Sequence, residues 1–367
     1  MLVFPEATGP RDTPLGCAEP YVNFYLESTW PEAVTARKWI NSAYERFPDP
    51  SGALADRLRS TDYVQHASAL AELLVHERLS GRGLRVTYEE GGVGPDFRIY
   101  RDDAYLGAVE VCCLLDDRTL DKERQRHGQI ADALNQRVPL DSWFARFDVI
   151  RLDRQPSMKA LARWVRETIA SLPTAVAPAG TFTPPFSYRE DGVELRFQFL
   201  LRRSDTPPRP GDRLVGFGRS HLGFVASYKR IRSALAEKVR KRYNTRGKPL
   251  ALFAVDWDIE SGLDQYEDAL YGNEQVRALS GTVRRVNNGF YGTRPERPAG
   301  KHTEVSCVFV LRNFRPWAPT DAPLLRFDNP FADSPFPDSL LPADHTLVAT
   351  RIEGGFRLEW SPEPPSL

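Results

Sequence analysis

Cysteine and methionine are scarce in this 367-residue chain, with four of the first and two of the second. Cys17, Cys112, Cys113 and Cys307 form no CxxC pair and no even ladder of spacings, which argues against a zinc ribbon and a disulfide framework and fits a reducing cytoplasm. Net charge is missing too: 49 basic and 49 acidic residues cancel, so any attraction to nucleic acid or membrane must be local. Lysine is rare, with 8 Lys against 41 Arg, and together with abundant Ala and Pro this points to a GC-rich bacterial coding sequence. Nowhere do about 18 apolar residues run together, and Met1 to Asp12 lacks the basic-then-apolar order of a signal peptide. The expectation is a soluble cytoplasmic protein with no membrane partner. What is present suffices for a sizeable core, since 41% of the residues are hydrophobic.

The pattern predicts an α/β fold. Residues 1–60, rich in Pro and aromatics, read as an N-terminal extension with short helices near Pro31 to Arg46 and Gly52 to Ser60. Thr61 to Leu79 carries Val64, Leu70, Leu73, Leu74 and Leu79 at helical spacing, with Thr61 or Ser60 as the cap. Leu84 to Tyr88 alternates as a strand, and Gly94 to Tyr100 with Tyr105 to Leu115 read as a hairpin around Asp102 and Asp103. Thr119 to Gln136 returns to helix and Arg146 to Leu152 to strand. The order over residues 61–156 is helix, three strands, helix, strand. Residues 157–345 form an additional α/β region with an amphipathic helix at 227–244 and two buried strands, Pro249 to Val255 and Glu304 to Leu311. Residues 346–367 read as a tail.

Asp96 and Glu110 stand out in the hairpin, VGPDFRIYRDDAYLGAVEVCCLL, because each acid sits in an apolar run. A short loop centred near Asp103 pairs residues whose numbers sum to 206, so Asp96 faces Glu110. Directly opposed acids repel unless something neutralises them. A hard divalent cation would do so, since Mg²⁺ takes one or two carboxylates plus waters and phosphate oxygens. Alternation turns Cys112 toward the same place.

A helix carrying Glu72, a hairpin carrying Pro95-Asp96 and then Glu110-Val111-Cys112, and a following helix together resemble the PD-(D/E)xK, or restriction-endonuclease-like, nuclease superfamily. The resemblance covers about Thr61 to Leu152. It implies that Asp96 and Glu110 hold Mg²⁺ or Mn²⁺ with help from the Val111 carbonyl, and that Glu72 contacts metal-bound water, with Glu77 on the same helix as its rival. The family's lysine would fall at Cys112 and is missing. Three readings follow: a cation from the next helix, Lys122 or Arg124, substitutes; the metal-bound water works without a lysine; or the site is silent and the fold is kept for binding.

Ser227 to Asn244 places Ile231, Leu235, Val239 and Tyr243 in one stripe. Lys229, Arg230, Arg232, Lys238, Arg240, Lys241 and Arg242 lie elsewhere on it, and Arg246 and Lys248 extend the basic patch. It reads either as a solvated helix face or as a phosphate-contacting surface that grips without reading sequence. The resulting expectation is a metal-dependent nuclease acting on nucleic acid, DNA before RNA. The resemblance adds genome defence as a setting, and a homodimer or a protein partner in a defence complex. The alternative is a catalytically inactive nuclease-fold protein acting as a nucleic-acid-binding or scaffold subunit.

Overall fold

The computed structural model describes all residues except Met1, 6–10, 81–82, 90–93, 116–117, 174–180, 203–211, 216–226, 258–261, 277–282, 287, 294–299, 353–354, 363 and 365–367. The elements begin with α1 (Val22–Glu27), α2 (Pro31–Arg46), α3 (Ala53–Leu58) and α4 (Tyr63–Leu79). The strands β1 (Arg85–Tyr88), β2 (Phe97–Arg101) and β3 (Ala104–Leu114) follow, then α5 (Arg118–Arg137), β4 (Trp143–Leu152) and α6 (Met158–Ala170). Next come β5 (Phe186–Glu190), β6 (Val193–Leu201), α7 (Ser227–Val239), β7 (Leu250–Asp256), α8 (Leu263–Tyr271), β8 (Glu274–Val276) and β9 (Val283–Arg285). The chain closes with β10 (Val305–Arg312), β11 (Leu324–Asp328), β12 (His345–Ile352) and β13 (Gly355–Ser361). Among the described residues no helix is long and apolar enough to cross a membrane.

The chain divides into two units. The first holds Met1–Thr8, Trp30–Asp116 and Val225–Leu367; the second holds Gly9–Thr29 and Asp117–Phe224. The first is built on a mixed sheet of eight strands in the order β1-β2-β3-β7-β10-β11-β12-β13. Its centre is parallel: β3 pairs with β7 and β7 with β10 in that sense. Strands buried on both faces need continuous apolar sequence, and every residue of β7 is buried. Side chains alternate between faces. Ala108, Cys112 and Leu114 therefore join Ile231, Leu235 and Val239 of α7 in one core, while Phe97 meets His76 of α4 and Phe47 on the other face. Asp62 starts α4 by accepting the N–H of Gln65, so the cap lies one residue beyond the expected Thr61.

The second unit is a three-stranded antiparallel sheet in the order β4-β6-β5. One face, with Leu195, Phe197 and Phe199, is covered by Ile130 and Leu134 of α5 and by Leu161 and Val165 of α6. Asp132 of α5 ties down the segment before α1 by accepting the N–H groups of Cys17 and Ala18 at 2.6 and 2.9 Å.

This division corrects the boundaries expected from the sequence. The 61–156 block is split, because β4 hydrogen-bonds to β6 rather than to the strands of the hairpin. The strand beside β3 is β7, more than a hundred residues on, and the helix before it is α7. Neighbours in sequence usually pair, and here an insertion defeats that rule. The 346–367 tail is a correction too: β12 and β13 pair antiparallel and complete the large sheet.

Candidate functional site

The hairpin delivers the two acids by a route slightly different from the expected one. Its turn is one residue tighter, since Arg101 pairs with Ala104, and Asp102 takes φ +53°, a left-handed conformation that Asp tolerates. An extra residue in β3 at Leu106 then shifts the register, and Phe97 meets Val109 as the 206 rule requires. Asp96, just ahead of β2, thus comes to Glu110. Its backbone N–H donates to Glu110 Oε2 at 3.1 Å, and its own Oδ2 accepts the N–H of Val111 at 2.7 Å. The N–H and C=O of a strand residue point the same way, so the Val111 carbonyl faces this edge as well.

Two cations from α7 and the turn that follows it stand beside the acid pair. Lys238 Nζ lies 3.0 Å from Glu110 Oε1, and Lys241 Nζ lies 3.3 Å from the same oxygen. Lys238 is seven residues after Ile231 and three after Leu235, so burial of the apolar stripe of α7 against β3 carries it to the sheet beside the acids. The Glu110 side chain has 0% exposure and those of Lys238 and Lys241 have 28% and 57%. At about 3 Å and an effective dielectric near 20 the attraction is on the order of 5 kcal/mol, set against the desolvation of a carboxylate.

The groups perturb one another. Burial first, and then the Glu110 charge, push the Asp96 carboxyl up to about 7 despite the opposing pull of Lys238. Burial pulls the Lys238 ammonium down, but Asp96 and Glu110 more than reverse this, so it stays charged at neutral pH. Tyr243, four residues beyond the end of α7 in the same stripe, has a buried hydroxyl with no well-formed hydrogen bond among the described residues. Burial and the adjacent Glu110 raise its pKa well above the ordinary phenol value.

The other expected site residues fall differently. Cys112 is buried in the core between Ala108 and Leu114, and burial pushes its thiol up to about 12, so it contributes packing rather than charge. Glu72 is engaged elsewhere: Arg57 donates to both its oxygens at 2.8 and 2.6 Å, and the Tyr88 hydroxyl donates at 2.6 Å. It is near enough to raise Asp96 electrostatically, but Tyr88 pairs with Phe97 and holds it on the α4 side of the sheet. Glu77 is bound by Arg46. The side chains of Lys122 and Arg124 lie outside the described residues.

The basic helix is not a single patch. Lys238 and Lys241 turn to the acids, Arg232 donates to the Asn288 carbonyl, Lys229 leans toward the Tyr228 ring, and Arg230 is half-buried. Arg240, Arg242, Arg246 and Lys248 remain exposed at and beyond its C-terminal end.

Asp96, Glu110 and the Val111 carbonyl form a hard-oxygen donor set suited to Mg²⁺ or Mn²⁺, and the Tyr243 hydroxyl stands beside Glu110. Among the described residues no group of three or more His, Cys, Asp or Glu could hold a metal, so waters and substrate oxygens would complete the shell. Compared with protein-family models, curated proteins and solved structures, the chain matches none of them.

Proposed function

We propose that this protein is a divalent-metal-dependent nuclease that hydrolyses phosphodiester bonds, DNA before RNA. Its restriction-endonuclease-like core would consist of α4, β1, β2, β3, α7 and β7, with the second unit inserted between β3 and α7. The observation that carries the reading is Lys238 Nζ, 3.0 Å from Glu110 beside Asp96. A lysine at that spot supplies what Cys112 lacks.

Asp96, Glu110 and the Val111 carbonyl would hold Mg²⁺ or Mn²⁺. The ion would polarise phosphoryl oxygens and lower the pKa of water. Lys238, kept protonated by the two acids, offsets negative charge growing on the phosphoryl group rather than taking a proton. Lys241, more exposed and reaching the same oxygen, is free to follow the substrate. Tyr243 Oη orients a polar group next to Glu110.

Supercoiled plasmid and single-stranded circles incubated with Mg²⁺ or Mn²⁺ test the proposal, using the wild type, Asp96→Ala and Glu110→Ala. Metal-dependent cleavage lost in both variants supports it; cleavage equal in all three sinks it. One observation favours the silent-subunit reading: the Glu110 carboxylate is wholly buried and already carries two ammonium groups on one oxygen. Nucleic-acid retention with no cleavage under either metal would select that reading.

A further inference from the structure

The sheet face that carries Glu110 also carries arginines that no acid among the described residues neutralises. We infer that they form a track for one unpaired nucleic-acid strand leading to the acid pair, an inference that rests on the nuclease reading and names the substrate class.

Arg85 of β1 pairs with Tyr100 of β2, and Tyr100 pairs with Tyr105 of β3. Cross-strand partners share a face. The extra residue at Leu106 moves Tyr105 onto the face of Ala108 and Glu110, and Tyr105 packs against the core on that side. The result is a row. The Arg85 guanidinium lies 4.3 Å over the Tyr100 ring, the Tyr100 and Tyr105 rings are 5.4 Å apart, and the Arg246 guanidinium lies 6.0 Å from the Tyr105 ring. Arg98 stands between this row and the acids, two residues after Asp96 and opposite Ala108. It is 9% exposed, and its Nε is buried with no hydrogen-bond partner among the described residues.

Among the described residues none of Arg85, Arg98 and Arg246 has a carboxylate partner, whereas Arg46, Arg57, Arg285 and Arg326 are all bound to acids. In a chain of zero net charge, two such guanidinium groups on one face of β1 and β2, and a third on the connection between α7 and β7 beside Tyr105, mark a place for a polyanion. Their mounting selects the form. A guanidinium lying on a tyrosine keeps its in-plane N–H groups for phosphate and its outer plane for a base. Duplex bases present only their edges, whereas an unpaired strand offers base planes for stacking on aromatic and arginine surfaces.

The test is fluorescence anisotropy without metal, using a labelled oligothymidylate and a hairpin duplex of equal length, on the wild type and on Arg85→Gln/Arg246→Gln. Both substituted side chains are exposed, and thermal unfolding confirms that the double variant is folded. The wild type should prefer the single strand. The double variant should bind it at least about tenfold more weakly, and the slope of log K against log salt should fall by about 1.4, at about 0.7 per lost single-strand contact. Unchanged affinity and slope in the double variant, or a wild type that prefers the duplex or binds neither, overturns the track. The metal-free readout separates this from catalysis. Track-dependent binding by a protein that cleaves nothing under Mn²⁺ would leave the track standing and remove the nuclease reading. Cleavage by a wild type whose binding ignores Arg85 and Arg246 would do the reverse.

Discussion

Replacing Asp96 by Asn should make the metal-free protein more stable and inactive at once. The Asp96 carboxyl is held at about 7, against 3.8 for the ordinary group, because burial and the Glu110 charge disfavour its ionised form. At about 1.4 kcal/mol per pKa unit, three units set a ceiling of about 4 kcal/mol. Residual solvent access of the half-buried side chain screens that to about 2 kcal/mol. The sign follows from linkage. A carboxyl with a raised folded-state pKa binds more protons folded than unfolded, so stability falls as pH rises from about 4 to about 7. Asn cannot ionise, yet its amide oxygen can still accept the Val111 N–H. Urea unfolding in the presence of a chelator should therefore show Asp96→Asn about 2 kcal/mol more stable than wild type at pH 8, with the two converging near pH 4. A variant less stable at pH 8, or one whose offset does not vary with pH, would refute the electrostatic argument and make the acid pair an ordinary structural ion network. Stability gained by removing a functional charge is the trade expected of an active site.

Glu72→Gln should keep metal-dependent cleavage while costing about 2 kcal/mol in urea unfolding, because the half-buried Arg57 loses its charged partner. Since Glu72 raises Asp96, the acid limb of the pH–rate profile should move to lower pH; abolished cleavage in a folded variant would return Glu72 to the reacting groups. The Cys112 thiol, buried and pushed up to about 12, should resist alkylation at pH 8 until the protein unfolds. Rapid labelling of Cys112 in the native state, located by peptide mass, would contradict its place in the core.

The local half of the candidate site was legible in the sequence and the distant half was not. Two acids in apolar runs on either side of a polar turn fixed their own pairing, because side-chain alternation and turn length set the register over a few residues. Even there the tighter turn and the bulge at Leu106 cancelled unseen, and the bulge that put Tyr105 on the site face left no mark in the alternation. The stripe of α7 was readable from its period, and it carried Lys238, but nothing local said that this helix would dock on β3. The lysine and its acid are 128 residues apart, with most of the second unit, Asp117–Phe224, between them in sequence. A propensity pattern shows that a face is apolar, not which strand will cover it. The last two strands were missed because Pro-rich sequence surrounds them, although β12 and β13 form a regular antiparallel pair.

The claim that Lys238 takes the place of the absent motif lysine is tested most directly by single-turnover cleavage with Lys238→Met at saturating Mn²⁺ and pH 8.5, above the raised pKa of Asp96. Lys241 still reaches Glu110 at 3.3 Å, so the fold and the acid pair should persist. The account predicts a rate loss of about 100-fold or more, the size seen when one charge-stabilising donor is removed. Cleavage at the wild-type rate would contradict it and reduce Lys238 to the partner of a buried carboxylate.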